Sequence, residues 1–188
     1  MVRFRLTAVA FFAVTLMSCS LFEPREPEQP TQSSSHYTPP DQPEIVISNL
    51  RYAVEEKTPP NYIRCFVNSQ TSTRPFTFNP SPDGASLGSW SLSDELTYFQ
   101  NLCTSTGNDR FSQLALTLRN TPLPLDTVQY EYSYALTFMH TKTGVPTTVL
   151  GHMELGLARQ SNGFWAIYDW SDFKDSSFTW SRFKVEFQ

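Results

Sequence analysis

Between Val128 and His140 the chain keeps a strict period of two. Val128, Tyr130, Tyr132, Tyr134, Leu136, Phe138 and His140 alternate with Gln129, Glu131, Ser133, Ala135, Thr137, Met139 and Thr141. A helix cannot place such a series on one side, whereas a strand does so automatically. The segment therefore predicts a long antiparallel strand with one buried face, and a strand of that kind needs neighbours and a layer to cover it. Leu114, Leu116 and Leu118 alternate in the same way just before it, and Pro122 and Pro124 end that run. Thr143-Gly144 marks a turn, and Thr147 to Arg159 is the next strand, with Gly151 and Gly156 as bulge or bend points. Asn162-Gly163 predicts a tight hairpin with both residues at positive φ, leading into a last long strand from Phe164 to Ser171.

Upstream the period is helical. Asp41 with Glu44 forms a capping-box pattern before Val46, Leu50 and Ala53, which make a stripe with Ile47 and Val54 beside it. Thr58-Pro59 opens a short second helix carrying Tyr62, Ile63, Cys65 and Phe66. Phe76-Thr77-Phe78 reads as a short strand. Ser91 or Ser93 caps a third helix with Leu96, Phe99 and Cys103 on one face and Gly107 near its end. The predicted fold class is α+β: three N-terminal helices packed on a strongly curved antiparallel sheet, a cone-shaped half barrel, preceded by a signal peptide and a disordered linker.

The 188 residues suffice for one ordinary domain plus appendages. The formal net charge of −4 argues against general nucleic-acid binding, which draws most of its affinity from basic side chains on phosphates. Three cysteines are too few for a disulfide scaffold. Arg3 and Arg5 precede an apolar run from Leu6 to Met17, and Leu16-Met17-Ser18-Cys19 follows: a secretory signal pattern too short for a confident membrane span. The segment resembles a bacterial lipobox, with Leu three before the Cys and a small residue just before it, although Met17 departs from the usual small residue. That resemblance implies cleavage after Ser18 and acylation of Cys19. An ordinary secretion signal, or an uncleaved anchor that happens to end in Cys, is the other reading. Ser20 after the Cys resembles outer-membrane sorting in enterobacterial lipoproteins, which implies a cell-envelope protein facing the periplasm. Cleavage would remove two of the 14 basic residues and leave the 18 acidic ones, a net charge of −6, so the membrane contact would rest on the acyl chains alone. The organisation expected is a signal peptide over 1–18, an acylated Pro/Ser/Gln-rich tether over 19–40 and one domain over 41–188. His36, inside the tether, is expected to be solvated.

The order of elements carries a second resemblance. The short helix ending Tyr62-x-x-Cys65-Phe66, the Phe76-x-Phe78 strand, the capped helix, and the closing Gly163-Phe164-Trp165-Ala166-Ile167-Tyr168-Asp169-Trp170-Ser171-Asp172 look like the nuclear transport factor 2-like, or cystatin-like cone, superfamily. The tail Trp180-Ser181-Arg182-Phe183-Lys184 is similar to a tail found in some lipoprotein members. This cone hosts enzymes, binding modules and scaffolds alike. Ketosteroid-isomerase-like members pair an inward carboxylate with a Tyr, and Tyr52 resembles that Tyr in position. Trp165 and Ile167 are expected to point at the first helix, with Asp169 continuing their face by alternation. The candidate pocket is thus Tyr52, Trp165 and Asp169. A filled interior would leave Asp169 at the rim, whereas an active site would enclose it, the rim being favoured. The first strand lacks the carboxylate those enzymes carry, so no catalytic residue is assigned.

His140 and His152, with Glu154 nearby, lack metal-motif spacing, and no phosphate loop, nucleophile elbow or Cys-x-x-Cys is present. No metal or cofactor is expected. Cys65 and Cys103 could pair in an oxidising compartment or remain free in the core, the latter being favoured. The expected function is a membrane-tethered, non-catalytic module for a small apolar ligand or an envelope partner, with a homodimer through the open sheet face as one such partnership. The alternative is a small-molecule lyase or isomerase.

Overall fold

The computed structural model describes residues 35–120, 126–175 and 178–188. Cys19, and with it the segments expected to form a signal peptide and most of a tether, lies outside the described residues. The compact unit begins at Ser35, not at Asp41. Local hydrogen bonds explain the difference. Thr38 and the buried Asn49 side chain exchange two of them, at 3.0 and 2.7 Å, and the Trp165 amide donates to the Pro40 carbonyl at 2.8 Å. Residues 35–40 thus form a strap across the first helix, and His36, predicted to be solvated, stacks on Tyr52 and bonds to Glu56.

Helix α1 spans Pro43–Glu55 and buries Val46, Ile47, Leu50, Ala53 and Val54, the stripe read from the sequence. Its N-cap is Gln42 rather than Asp41, because Pro43 fits the first helical position, where its missing N–H costs nothing. Glu44 is consequently free of capping duty and accepts a hydrogen bond from the Tyr130 hydroxyl. Helix α2, Pro59–Ile63, is a single turn, and Cys65 and Phe66 fall beyond it. There the backbone joins the sheet edge, with bonds from Ile167 to Cys65 and from Val67 to Ile167, both 2.9 Å. Strand β1 is Thr77–Asn79, followed by a 3₁₀ turn over Pro82–Leu87.

Helix α3, Leu92–Thr106, starts on a complete Ser91/Asp94 capping box and stops at Gly107, whose φ of 80° suits a residue without Cβ. Its buried face is Glu95, Tyr98, Phe99 and Leu102, rotated from the predicted Leu96, Phe99 and Cys103. Apolar periodicity misplaced the face because two of the inward residues carry polar groups.

Strands β2 (Ser112–Leu118), β3 (Thr127–Phe138), β4 (Thr148–Arg159) and β5 (Trp165–Phe173) pair antiparallel in sequence. The sheet order is β1-β5-β4-β3-β2, and β1 runs parallel to β5, so the sheet is mixed rather than antiparallel throughout. That register drives Phe78 into the core against Trp170 at 5.4 Å and leaves Thr77 and Asn79 outside. Strand β3 buries every second residue from Val128 to Phe138, as its alternation requires.

The β4–β5 hairpin forms, but not with two residues at positive φ. Only Gly163 is left-handed, at 86°, while the Gly163 amide closes the turn on the Gln160 carbonyl at 2.9 Å. The Asn162 side chain instead accepts the Phe164 amide at 3.0 Å, a local bond that holds Asn162 without a left-handed backbone.

A fourth helix, α4, spans Trp180–Phe187 and was not anticipated. Thr179 caps it through the Arg182 amide, and it buries Trp180, Ser181, Phe183, Lys184 and Phe187 between α3 and the sheet.

Candidate functional site

Helix α4 occupies the ground where a pocket would have to lie. Its Lys184 is fully buried, with the ammonium 3.9 Å from the ring centres of both Phe78 and Trp170 and within 5.6 Å of Trp90 and Tyr98. Four aromatic faces attract the charge without neutralising it. Neutralisation comes from Glu95 on α3, also fully buried, which pairs with the Lys184 ammonium. The other Glu95 bonds come from the Tyr62 hydroxyl and the Trp90 indole N–H, both 2.6 Å. Burial lowers the Lys184 pKa, with the Glu95 charge opposing that shift, and burial raises the Tyr62 and Tyr98 phenols well above their usual range.

A second buried carboxylate, Asp172, lies at the head of α4. It receives the Tyr134 hydroxyl at 2.7 Å and the Ser181 amide at 2.7 Å, and Tyr134 in turn accepts the Trp180 amide at 2.8 Å. Ser81, Asp83 and Thr179 extend the network to the 3₁₀ turn. Burial pushes the Asp172 carboxyl up, against the pull of its hydrogen bonds. The geometry amounts to a fastening: Glu95 and Asp172, the two buried carboxylates, are each bonded to a group on α4.

The predicted pocket residues are not brought together. Tyr52 is 43% exposed on the outer side of α1. Asp169 lies on the outer face of β5, where the Asn79 side chain donates to it at 3.4 Å and partial burial raises its pKa. The alternation argument failed at a β-bulge. Leu157 pairs with Ile167 but Gly156 with Asp169, so Tyr168 is an extra residue and the parity of the strand inverts after it. Beyond the bulge Trp170 and Asp172 face inward and Asp169 faces out. Asp172, Glu95, Tyr134 and Lys184 were missed as a group. The apolar spacing of Trp180, Phe183 and Phe187 behind Thr179 is the signal that could have revealed α4.

Cys65 and Cys103 are unpaired, and burial pushes the Cys103 thiol up to about 12. His140 accepts the Lys142 amide on Nδ1 at 3.1 Å, which leaves Nε2 to donate to the Pro146 carbonyl at 3.1 Å. His152 bonds to Asp175 at 2.8 Å and stacks on Phe173. The two histidines therefore serve separate local structures. Among the described residues no three metal-ligating side chains converge.

One depression lies outside the interior. It has a volume of about 480 Å³ and runs between the strap, the end of α2 and the β4–β5 hairpin. Trp165, the one member of the predicted trio that lines it, shares its wall with Phe66, Phe164, Ile63, Tyr37 and Arg64.

No protein-family model and no curated protein matches the sequence. Solved structures do resemble the fold. A conserved protein from Planctomyces limnophilus superposes with a TM-score of 0.54 at 11% identity, covering 69% of this chain and 91% of that one. A proposed dehydratase of the NTF2-like family from Streptomyces avermitilis gives 0.53 at 9% identity over 73% and 96%. A proposed scytalone dehydratase from Novosphingobium aromaticivorans gives 0.51 at 11% identity over 69% and 78%. The likeness is one of fold. It agrees with the cone resemblance read from the element order, and at such identities the architecture carries no chemistry with it.

Proposed function

We propose that this chain is an envelope lipoprotein, anchored through Cys19 and facing the periplasm, whose cone domain binds a small ligand or an envelope partner without catalysing a reaction. The observation that carries the non-catalytic reading is the occupation of the interior by α4. Lys184 uses Glu95 and Ser181 uses Asp172, so both buried carboxylates are spent on holding the chain's own helix. An enzyme pocket needs polar groups that converge on empty space. The lipobox pattern around Cys19 supports the anchor, and the surface depression supplies a place to bind. Contact between two copies through the outer sheet face belongs to the same proposal.

Two measurements test it. Cys19→Ala should release the protein from the membrane fraction or leave an unprocessed precursor, and a processed variant that stays in the membrane refutes the anchor. Extensive hydrogen-exchange protection of α4 amides is expected of a permanent plug.

A second reading is a lyase of the dehydratase type. It draws on the Tyr134–Asp172 pair and on the fold likeness to two proteins described as dehydratases. It requires α4 to withdraw, so unprotected α4 amides together with loss of activity in Asp172→Asn would favour it.

A further inference from the structure

Arg64 is the sole charged side chain among the described residues that line the 480 Å³ depression. That is unexpected on a chain with net charge −4, where a cation would ordinarily find a carboxylate. The Arg64 guanidinium carbon instead lies over the Tyr37 ring, 3.6 Å from its centre, with the side chain exposed and bonded to the Tyr37 hydroxyl. The remaining N–H donors lie at the edge of the guanidinium, where a carboxylate binds. The rest of the lining includes Ile63, Phe66, Phe164 and Trp165; Phe164 is 38% exposed, whereas Phe66 and Trp165 are almost covered. The walls are preformed. Gln160 ties the hairpin to the opposite loop through the Asn68 amide at 3.1 Å and the Thr71 hydroxyl at 2.7 Å, and the Ser161 amide adds a bond to the Thr71 carbonyl at 2.9 Å. The volume lies within the range of small-molecule sites, and an ordered wall reduces the entropy lost on binding.

We propose that this depression is a binding site for a small organic carboxylate with a flat apolar body, its carboxylate held by Arg64 and its body lying against the exposed Phe164 ring. The inference deepens the binding role proposed above and rests on it. A second arginine sets the control. Arg74 lines an adjoining hollow of about 260 Å³ that lacks Phe164 and Trp165, and its guanidinium carbon is 5.2 Å from the Tyr168 ring centre. Both arginines lie near a tyrosine ring, but only Arg64 lines the 480 Å³ depression.

The probe is phenylacetate, with phenylacetamide as its uncharged counterpart, titrated calorimetrically into the full chain in detergent micelles against a micelle blank. Phenylacetate should saturate the protein and phenylacetamide should bind at least tenfold more weakly. Arg64→Gln should weaken phenylacetate at least tenfold, Arg64→Lys should give an intermediate loss, and Arg74→Gln should stay within twofold of the parent. Absence of saturation up to about 10 mM, a range that covers even millimolar affinity, overturns the site. Equal losses in Arg64→Gln and Arg74→Gln also overturn it, since they would report a diffuse field. Equal binding of acid and amide overturns the carboxylate assignment while leaving the binding role intact. Turnover by the wild-type chain that survives Arg64→Gln would instead defeat the non-catalytic reading and leave this site standing.

Discussion

Two of the cations that rest on aromatic rings in this protein have opposite surroundings. Lys184 is fully buried among four rings and is matched by Glu95. Arg64 is exposed on one ring, with no carboxylate in its depression. A buried charge must be answered by its own chain, because water is not there to solvate it, and whatever answers it is no longer available for chemistry. An exposed charge needs no internal partner and keeps its donors for something else. In the function proposed above, the interior is structural and recognition falls to the rim.

The largest test removes the buried charge while keeping its volume. Lys184→Met removes the counter-ion of Glu95 in the core, and should destabilise the fold by about 3–5 kcal/mol in denaturant titration. A cost below about 1 kcal/mol would mean that water reaches Glu95, and the contrast between the two regions would disappear.

Next in size is Gly151→Ala on β4. A Cβ there would lie 2.6 Å from the Tyr134 hydroxyl oxygen and 2.8 Å from the Phe173 carbonyl. Tyr134 would have to leave Asp172, and a loss of about 1–3 kcal/mol is expected from overpacking. Thermal unfolding checks it, with Gly163→Ala at the exposed hairpin as a comparison for backbone strain alone.

A pH series sharpens the same point. Burial raises the folded pKa of Asp172, so the stability it adds is complete below the ordinary carboxylate value of about 3.9 and is lost as pH rises through the folded pKa. The stability of wild type relative to Asp172→Asn should therefore fall as pH is raised across that window. A difference that grows with pH would show that the Tyr134 and Ser181 bonds outweigh desolvation.

The smallest effect is expected at the rim. Arg64→Gln should change stability by no more than about 0.5 kcal/mol, as for a surface substitution away from buried networks. A larger loss would make Arg64 a structural group like Lys184.

These contrasts follow the line between what was legible in the sequence and what was not. The period of two in β3, the stripe of α1, the Ser91 cap and Gly107 stop of α3, and the existence of the β4–β5 hairpin were all readable, because each depends on the residue and its near neighbours. The start of α1 was misread by one residue, since Pro43 settled it locally in a way the acidic pair Asp41 and Glu44 disguised. The candidate site was hardly legible. Of Tyr52, Trp165 and Asp169, only Trp165 lines a depression, and its partners Tyr37 and Arg64 come from the strap and from beyond α2.

The tertiary structure decided which carboxylate faces inward. Asp169 and Asp172 are both acidic residues near the end of one strand, and alternation alone puts Asp169 on the face of Ile167. One extra residue at Tyr168 inverts the parity, and that bulge exists only in the pairing of β5 with β4. The tertiary structure also decided that Lys184 and Glu95, hydrophilic by composition, belong to the core, since each supplies the other's missing solvation from a distant part of the chain. Local sequence encodes period, caps and turns because those energies arise between near neighbours. Parity after a bulge and the burial of a charge depend on partners that only the folded chain brings into contact.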